Sequence, residues 1–457
     1  MTVEPSVVRD VVVVVPGIMG SALVDARDRP VWSVGLGSLV QGIRTLGASV
    51  TSLTLPDDIG DNAAPDGVRA TGLLGGLHVI PGVWSPVAGY AGLMNFLRGR
   101  RFHLVEPGQG RIPNLLAFAY DWRLSNRYNA VLLKKMAVDA LERWRTQPGM
   151  SEAKLVLVCH SMGGLVGRWF LDHEGGAEIT RSLITIGTPH RGSVNALEKL
   201  VNGVGPGIGG FRDALTEFVR SMPSLHQLLP TYDCLQLDGK REAIRDLPGV
   251  RSAMLTDARD FHASLALPNR AEYVLHKVVG TRQPTSTTAR IDGERVVVSE
   301  RIDDRDQGGD GTVPRLAAEP EAGRGVEVHE VAEQHGELQN TRSALDLVDG
   351  IITREELIWQ DVPAEAFGVS MAEIWSPRET PELLVPDVGG RRLRVVVLDE
   401  QGDQVGAPAF VDSGGRAELA ALPPGGYRAR VESPLRGGPP PVTRPFLVWD
   451  PDTSAEE

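Results

Sequence analysis

The chain has 457 residues, of which 42% are hydrophobic and 23% are charged, so it can form two or three domains around a large core. Its formal net charge is −12, and lysine and arginine do not cluster. Both features argue against nucleic acid as a partner, because phosphate binding needs a basic patch. With only two cysteines, Cys159 and Cys234, a disulfide framework is not expected.

The N-terminal residues carry neither a basic region nor a cleavage pattern, which predicts a cytoplasmic protein. The uncharged stretch 70–97 contains six glycines and two prolines, so we expect a loop-rich apolar segment rather than a membrane-spanning helix. Its apolar residues either pack beneath the loops or form a patch for peripheral membrane contact. They are Leu73, Leu74, Leu77, Ile80, Val83 and Trp84.

Strands and helices alternate through the first half of the chain. Residues 7–15 and 114–120 have the apolar composition of buried parallel strands. A helical pattern covers residues 128–145, and residues 181–186 predict a further strand. Such alternation predicts an α/β fold with a mostly parallel sheet and right-handed crossovers.

Ser161 lies where one of these strands meets a helix. Four apolar residues, 155–158, precede it, and helical spacing resumes at Leu165 and continues to about residue 173. This arrangement resembles the Gly-x-Ser-x-Gly nucleophile elbow, which presents a serine hydroxyl above the sheet. Cys159 replaces the first glycine of that pattern, and a small thiol fits the turn. Serine followed by glycine also occurs by chance, so the rest of the chain has to support the catalytic interpretation.

Two later turns supply candidates for a charge relay with Ser161. Asp310 lies between glycines in Gly-Asp-Gly-Thr-Val-Pro, and His335 follows the last predicted core strand, residues 326–331. The order serine, aspartate, histidine is that of the α/β-hydrolase fold. The predicted triad is therefore Ser161, Asp310 and His335.

Neighbouring residues offer weaker alternatives. The acids Asp303, Asp304 and Asp306 lie in a charged run typical of a solvated loop. His329 falls within the final core strand and is better interpreted as a structural strand residue. Two other histidines, His160 and His190, are expected to line the pocket or its rim. No histidine spacing indicates a metal site and no loop indicates a phosphate cradle, so neither a metal nor a cofactor is expected.

The remaining segments suggest an insertion and an added domain. Residues 190–270 follow a looser pattern that fits a cap or lid, and residues 289–298 predict a hairpin turning at Asp292-Gly293. A helix is expected at 338–352. From residue 386 onward short alternating strands are separated by Gly, Pro and Asp, which predicts a small β-sandwich. We therefore expect an α/β-hydrolase catalytic domain at 1–385 and a β-sandwich module at 386–457.

Several motifs together resemble the lecithin:cholesterol acyltransferase and phospholipid:diacylglycerol acyltransferase family. They are Pro-Gly-Ile-Met-Gly-Ser at 16–21, Tyr-Asp-Trp-Arg at 120–123, His-Ser-Met-Gly-Gly at 160–164, Gly-Thr-Pro at 187–189, the segment 223–230 ending in Leu-Leu-Pro, Gly-Asp-Gly-Thr-Val-Pro at 309–314, and His335. The Tyr-Asp-Trp-Arg element is the most specific of them. The chain departs from secreted members in lacking a secretory signal and a lid disulfide, and in carrying the C-terminal module.

The resemblance implies Ser161 as nucleophile, Asp310 as acid and His335 as base, with the N–H groups of Met19 and Met162 as the oxyanion hole. It implies a lipid ester hydrolase or O-acyltransferase, such as a lipase or phospholipase, working through an acyl-enzyme. The alternatives are a non-catalytic scaffold whose C-terminal module contacts protein partners, and an esterase for thioesters or small esters.

Overall fold

A computed structural model of the chain describes residues 8–33, 53–76, 87–99, 102, 104–204, 211–237, 239–266, 273–319, 326–355, 362–363, 365–435 and 437–450. The proposed apolar patch residues Leu77, Ile80, Val83 and Trp84 lie outside the described residues, as does most of the glycine-rich segment 203–210.

The described residues form α-helices and mostly short strands. In chain order the helices are α1 (Ala91–Leu97), α2 (Asn126–Arg145), α3 (Gly163–His173), α4 (Val194–Asn202), α5 (Phe211–Ser221), α6 (Pro223–His226), α7 (Ser252–Ala266) and α8 (Arg342–Thr353). The strands are β1 (Val11–Val15), β2 (Ser21–Val24), β3 (Pro30–Trp32), β4 (Arg69–Leu73), β5 (Leu115–Ala117), β6 (Leu155–His160), β7 (Thr180–Ile186), β8 (Leu235–Leu237), β9 (Lys240–Glu242), β10 (Val274–Gly280), β11 (Thr288–Asp292), β12 (Arg295–Ser299), β13 (Arg301–Ile302), β14 (Arg305–Asp306), β15 (Val326–Val331), β16 (Ser370–Met371), β17 (Ile374–Trp375), β18 (Glu382–Leu384), β19 (Arg394–Leu398), β20 (Ala409–Phe410), β21 (Arg416–Glu418), β22 (Gly425–Glu432) and β23 (Val442–Val448).

The central sheet is parallel and has the strand order β15-β10-β7-β6-β1-β5. Its inner strands are apolar on both faces: all five valines of β1 and all six residues of β6 are buried. Burial on both faces requires helices above and below the sheet. Helices α2 and α3 cover one face through Leu133 and Leu165, and helices α1 and α8 cover the other through Leu93 and Leu347. The predicted α/β architecture is confirmed.

The carboxyl ends of these strands lie together at one edge of the sheet. The register pairs Val15 with Cys159, His160 with Ile186, and Gly280 with Val331. The connections after β1, β6, β10 and β15 therefore begin side by side. Met19, Ser161, Met162 and His335 lie just after β1, β6 and β15. Asp310 follows β14, and a bridge to Gln283 places it beside the end of β10.

Between β7 and β10 the chain forms an insertion that includes α4 to α7 and the strands β8 and β9. The predicted hairpin at 289–298 is confirmed as the antiparallel pair β11 and β12, with Asp292 opposite Arg295. Strand β11 also pairs with β8, so the hairpin and the insertion share a four-stranded sheet in the order β12-β11-β8-β9.

The C-terminal region is rich in β-structure, as predicted. A five-stranded sheet, β17-β23-β22-β19-β20, and a three-stranded sheet, β16-β18-β21, surround a core that includes Val395, Ala429 and Phe446. Strands β16 to β18 precede residue 386, so these sheets include chain from before the predicted boundary. The division into domains at 385 and 386 stays a prediction.

In the described part of the stretch 70–97, the apolar side chains pack inward. Leu74, Leu93 and Leu97 are buried, and Leu73 packs against the core beneath α1. Cys159 and Cys234 are buried free thiols. Among the described helices none is both long and apolar enough to cross a lipid bilayer.

Candidate active site

Ser161 occupies a strained turn between β6 and α3. Its φ is 52°, which is uncommon for a residue with a side chain. The Ser161 N–H donates to the carbonyl of Ile186 at 2.8 Å, and its own carbonyl accepts from the Thr188 hydroxyl at 2.9 Å. The Gly-Thr-Pro element at the end of β7 thus fixes the backbone of the elbow.

The elbow packs closely against the loop that follows β1. A Cβ atom at Gly17 would lie 2.8 Å from the Cβ of Ser161, and one at Gly163 would overlap the carbonyl oxygen of Pro16. Only glycine allows this approach. Cys159, which replaces the first glycine of the usual motif, faces Gly167 of α3. A Cβ atom at Gly167 would lie 3.0 Å from the Cys159 Sγ. The thiol therefore fits because the facing helix position is also glycine.

The structure brings Ser161, Asp310 and His335 together in one hydrogen-bonded chain. His335 Nε2 lies 2.8 Å from Ser161 Oγ, and His335 Nδ1 lies 2.7 Å from Asp310 Oδ2. The other carboxylate oxygen, Asp310 Oδ1, accepts from the N–H groups of Thr312 at 2.9 Å and Val313 at 2.7 Å. The three candidate triad residues are buried, with exposed fractions of 2%, 1% and 2% in chain order.

The alternative acids and bases lie elsewhere. Asp303 and Asp304 form the turn between β13 and β14, where Asp303 pairs with Arg241 at 3.1 Å, and Asp306 is also exposed. His329 lies within β15, as interpreted from the sequence. His190 is buried with Nε2 3.3 Å from the Thr185 hydroxyl, and burial holds its pKa well below the ordinary value.

The two residues proposed for the oxyanion hole lie on the facing loops. Met19 is 1% exposed and has a φ of 61°, which makes it a second strained position near Ser161. Its carbonyl accepts from the Trp32 indole N–H at 2.9 Å. Met162 is the N-cap residue of α3, so it lies at the helix end whose N–H groups have no acceptor within the helix. The loops that carry Met19 and Met162 therefore pack against each other beside Ser161.

A tyrosine that the sequence pattern did not single out joins three parts of the site. Tyr90 Oη accepts from the Gly17 N–H at 2.7 Å and lies 2.9 Å from His160 Nδ1. His160 Nε2 lies 3.1 Å from the carbonyl oxygen of His335, which can only accept. The tautomer that satisfies both contacts carries its proton on Nε2 and accepts the Tyr90 hydroxyl at Nδ1. Burial raises the pKa of Tyr90, which keeps the phenol protonated for this role.

The Tyr-Asp-Trp-Arg element at 120–123 fixes the loop after β1. The Tyr120 hydroxyl donates to the Pro16 carbonyl at 2.8 Å, and the Trp122 indole donates to the Ser21 carbonyl at 3.2 Å. The Tyr120 N–H also donates to the Ser21 hydroxyl at 3.1 Å. This element therefore positions both ends of the candidate oxyanion loop.

Arg123 anchors the element in turn. Its guanidinium is fully buried and lies 2.6 Å from the Asp121 carboxylate and 2.7 Å from that of Asp66. It also donates to the Leu53 carbonyl at 2.9 Å. A buried cation needs such partners, because an unpaired charge in the interior costs several kcal/mol.

Among the described residues, the side chains placed to hold a metal ion are His276, Glu327 and His329. They lie within β10 and β15, and the triad residues are not among them.

The parallel sheet and the strand-to-helix elbow are those of the α/β-hydrolase fold. A chain of the Tle4-Tli4 complex matches with a TM-score of 0.51 and 17% identity over 77% of this chain and 99% of that one, which supports the fold assignment. Lipase BlEst2 of Bacillus licheniformis in mature form gives a TM-score of 0.35 and 14% identity, covering 77% of this chain and 96% of that one. Phospholipase PlaB of Legionella pneumophila in complex with thio-NAD gives 0.33 and 10%, covering 96% and 89%.

The family model of lecithin:cholesterol acyltransferase matches residues 98–256, which confirms the resemblance drawn from the motifs. The matched range contains the Tyr-Asp-Trp-Arg element, the elbow and the Gly-Thr-Pro turn. A search of curated proteins finds no match to this chain.

We predict that Arg123→Met lowers the free energy of unfolding by about 3–5 kcal/mol, because Asp121 then remains buried without its cation. Denaturant unfolding followed by tryptophan fluorescence measures the change. The matched control is Arg143→Met, whose partner Asp139 lies 3.1 Å away in an exposed pair, and it should cost less than about 1 kcal/mol. Equal effects of the two substitutions would contradict the assigned role of Arg123.

Proposed function

We propose that this protein is a serine acyl hydrolase or O-acyltransferase that acts on lipid esters through Ser161, Asp310 and His335. The observation that carries the proposal is the continuous hydrogen-bonded chain from carboxylate to imidazole to hydroxyl, at 2.7 Å and 2.8 Å, on a strained elbow. Acyl transfer needs this set of groups. The family match and the α/β-hydrolase fold support a lipid ester as the substrate class.

In the proposed reaction His335 Nε2 takes the proton of Ser161 as Oγ attacks the ester carbonyl carbon. Asp310 holds Nδ1–H and stabilises the imidazolium that forms, and its second oxygen is kept in place by the N–H groups of Thr312 and Val313. When the C–O bond to the alcohol breaks, His335 returns the proton to the leaving oxygen. The product of this half-reaction is an acyl-enzyme on Ser161.

The tetrahedral intermediate carries a negative oxygen, which the N–H groups of Met19 and Met162 would stabilise. Each residue lies beside the nucleophile on a backbone held by other parts of the fold, so little reorganisation is needed as the charge develops. The positive φ of Met19 fits this role, because strained backbone is retained where function requires a fixed orientation.

The second half-reaction decides between hydrolase and transferase. Water attacking the acyl-enzyme releases a fatty acid, whereas an alcohol acceptor gives a new ester. The buried serine favours acceptors that enter together with the lipid, since closure of the site excludes bulk water. We propose in addition that residues 190–270 form a cap over the site and that residues 70–97 make peripheral contact with a membrane. We also propose a cytoplasmic location.

The experiment that tests the proposal uses a phospholipid with a labelled acyl chain, incubated with and without a long-chain alcohol. We expect the wild type to release labelled fatty acid or acyl ester and to react with a fluorophosphonate. Ser161→Ala and His335→Ala should lose the labelling and reduce product formation by at least about 10³-fold. Product analysis by thin-layer chromatography and in-gel fluorescence measure the two effects.

The matched control is Ser151→Ala, an exposed serine before β6, which should behave as the wild type. Labelling of the wild type without any lipid product would show a reactive serine whose substrate is not a lipid ester. It would support a thioesterase or a small-ester esterase. A wild type that neither labels nor turns over lipid would support a non-catalytic scaffold.

Tyr90→Phe tests the network behind the triad. Removing the hydroxyl takes one partner each from Gly17 N–H and His160 Nδ1, so we expect kcat to fall about tenfold with KM within about twofold. Hydrolysis of a nitrophenyl ester measures both constants. Tyr427→Phe removes a hydroxyl that donates to Pro423 at 3.0 Å in the C-terminal region, and should change neither. A similar fall in kcat in both variants would contradict a specific role of Tyr90 in supporting the triad.

A further inference from the structure

Three side chains on the last two strands of the central sheet converge on one point. The register places His276 of β10 opposite Glu327 of β15, and His329 follows two residues further along β15. Residues opposite each other and residues two apart lie on the same face of a sheet. One imidazole nitrogen from each histidine and a carboxylate oxygen lie within 4.8 Å of one another.

The spacing of these atoms suits a metal ion. His276 Nδ1 lies 2.9 Å from Glu327 Oε2, and His329 Nε2 lies 3.8 Å from the same oxygen. Ligands bound about 2 Å from a tetrahedral zinc ion lie roughly 3.4 Å apart, and these two distances bracket that value. His276 Nδ1 is buried and faces the Glu327 carboxylate, so a candidate nitrogen ligand and a candidate oxygen ligand already lie side by side.

Unpaired positive charge close to the cluster would disfavour a bound cation. The nearby Arg181 guanidinium is compensated by Asp10 at 2.7 Å, which limits its repulsion of a cation.

From this geometry we infer that His276, Glu327 and His329 form a zinc site. Two imidazoles and a carboxylate are a common zinc set, and imidazole disfavours calcium or magnesium, which prefer all-oxygen ligands. His276 precedes Gly280 by four residues, so the site lies roughly 13 Å along the sheet from the edge that carries the triad. The ion is therefore structural and joins β10 to β15.

Metal-stripped protein titrated with zinc against a chromophoric chelator tests this inference. We expect one ion per chain and a rise of several degrees in the unfolding temperature. Glu327→Gln, an exposed position that leaves folding intact, should weaken binding at least about tenfold, and His329→Ala should abolish it. The control is Glu330→Gln on the same strand, because Glu330 pairs with Arg315 and is not part of the cluster.

Binding that is absent, or that is equal in the wild type, Glu327→Gln and His329→Ala, would overturn the zinc site. Because the readouts are stoichiometry and unfolding temperature, neither outcome depends on the proposed acyl transfer.

An independent set of contacts links the C-terminal region to the loop that carries His335. The Gln334 side chain, one residue before His335, accepts from the Arg444 guanidinium of β23 and donates to the Val369 carbonyl at 3.1 Å. It also donates to Gln283 Oε1 at 2.7 Å. Glu333, one residue earlier, accepts from the Thr443 N–H at 2.9 Å.

The same region reaches the segment that supports Asp310. Gln283 accepts from the Val369 N–H at 3.0 Å and donates to the Phe367 carbonyl at 3.3 Å. Its own N–H donates to the Gly309 carbonyl at 3.0 Å, next to Asp310. Glu333 is buried in this contact region, and its burial raises the pKa of the carboxyl to about 8.

We propose that the C-terminal region positions the loops of the acid and the base, with Arg444 as the positioning residue. The catalytic part of this second proposal depends on the proposed function. Hydrogen bonds on the two residues before His335 restrict where its imidazole can point, which matters because a misplacement of about 1 Å costs up to roughly a hundredfold in rate.

Hydrogen exchange and esterase kinetics on Arg444→Met test the proposal in the full chain. We expect exchange in residues 332–338 to increase at least about tenfold, and kcat to fall about tenfold with KM nearly unchanged. Arg444→Lys should restore part of both effects. Arg394→Met is the control, since Arg394 pairs with Glu432 at 2.7 Å in the same sheet and does not contact this loop among the described residues.

Unchanged exchange in Arg444→Met would overturn the positioning role whatever the activity. An inactive wild type with increased exchange in the variant would instead count against the proposed function and leave the contact itself standing.

Discussion

The arrangement of the candidate site depends on the close contact between two strained turns. Ser161 and Met19 both have positive φ, and the glycines at 17 and 163 let their backbones meet without a Cβ between them. Strain of this kind costs of order 1–3 kcal/mol per residue and persists only where surrounding structure holds it. Thr188 holds one turn, and the Tyr-Asp-Trp-Arg element holds the other.

This dependence explains why motifs that are far apart in the sequence occur together. The specific element at 120–123 need not contact a substrate to be needed, because its hydroxyl and indole bond the carbonyls of Pro16 and Ser21. The buried Arg123 pairs with Asp121 of the same element. A family-specific motif can therefore act through the backbone that it holds and not through contact with a substrate.

The pattern of the sequence predicted the sheet well and its connections less well. Valine-rich β1 and the strand β6 are unambiguous because burial on both faces demands continuous apolar residues. The helix expected at 338–352 begins instead as a short 3₁₀ turn, because Thr341 has extended backbone and caps α8 by accepting from the Ala344 N–H. Boundaries of this kind depend on local capping that periodicity does not report.

The candidate triad could be proposed from chain order and turn chemistry, since each residue follows a recognisable strand. Tyr90 could not, because it acts through contacts with residues 73 and 70 positions away in the sequence. The cluster of His276 with Glu327 was missed for the same reason: their separation of 51 residues carries no ligand spacing, and only the register of two parallel strands brings them together.

The His276–Glu327–His329 cluster and the contacts of the C-terminal region both constrain β10 and β15. His335 follows β15, and Asp310 is bridged to Gln283 just after β10. In the described sheet β15 is an edge strand with one neighbour. An edge strand lacks the second ladder of hydrogen bonds that fixes inner strands. The His-Glu cluster lies toward the amino ends of the pair, and the contacts of Gln283 and Gln334 lie beyond the carboxyl ends. Constraint at both ends compensates for the missing neighbour, in the part of the sheet where the distance between carboxylate and imidazole has to be kept.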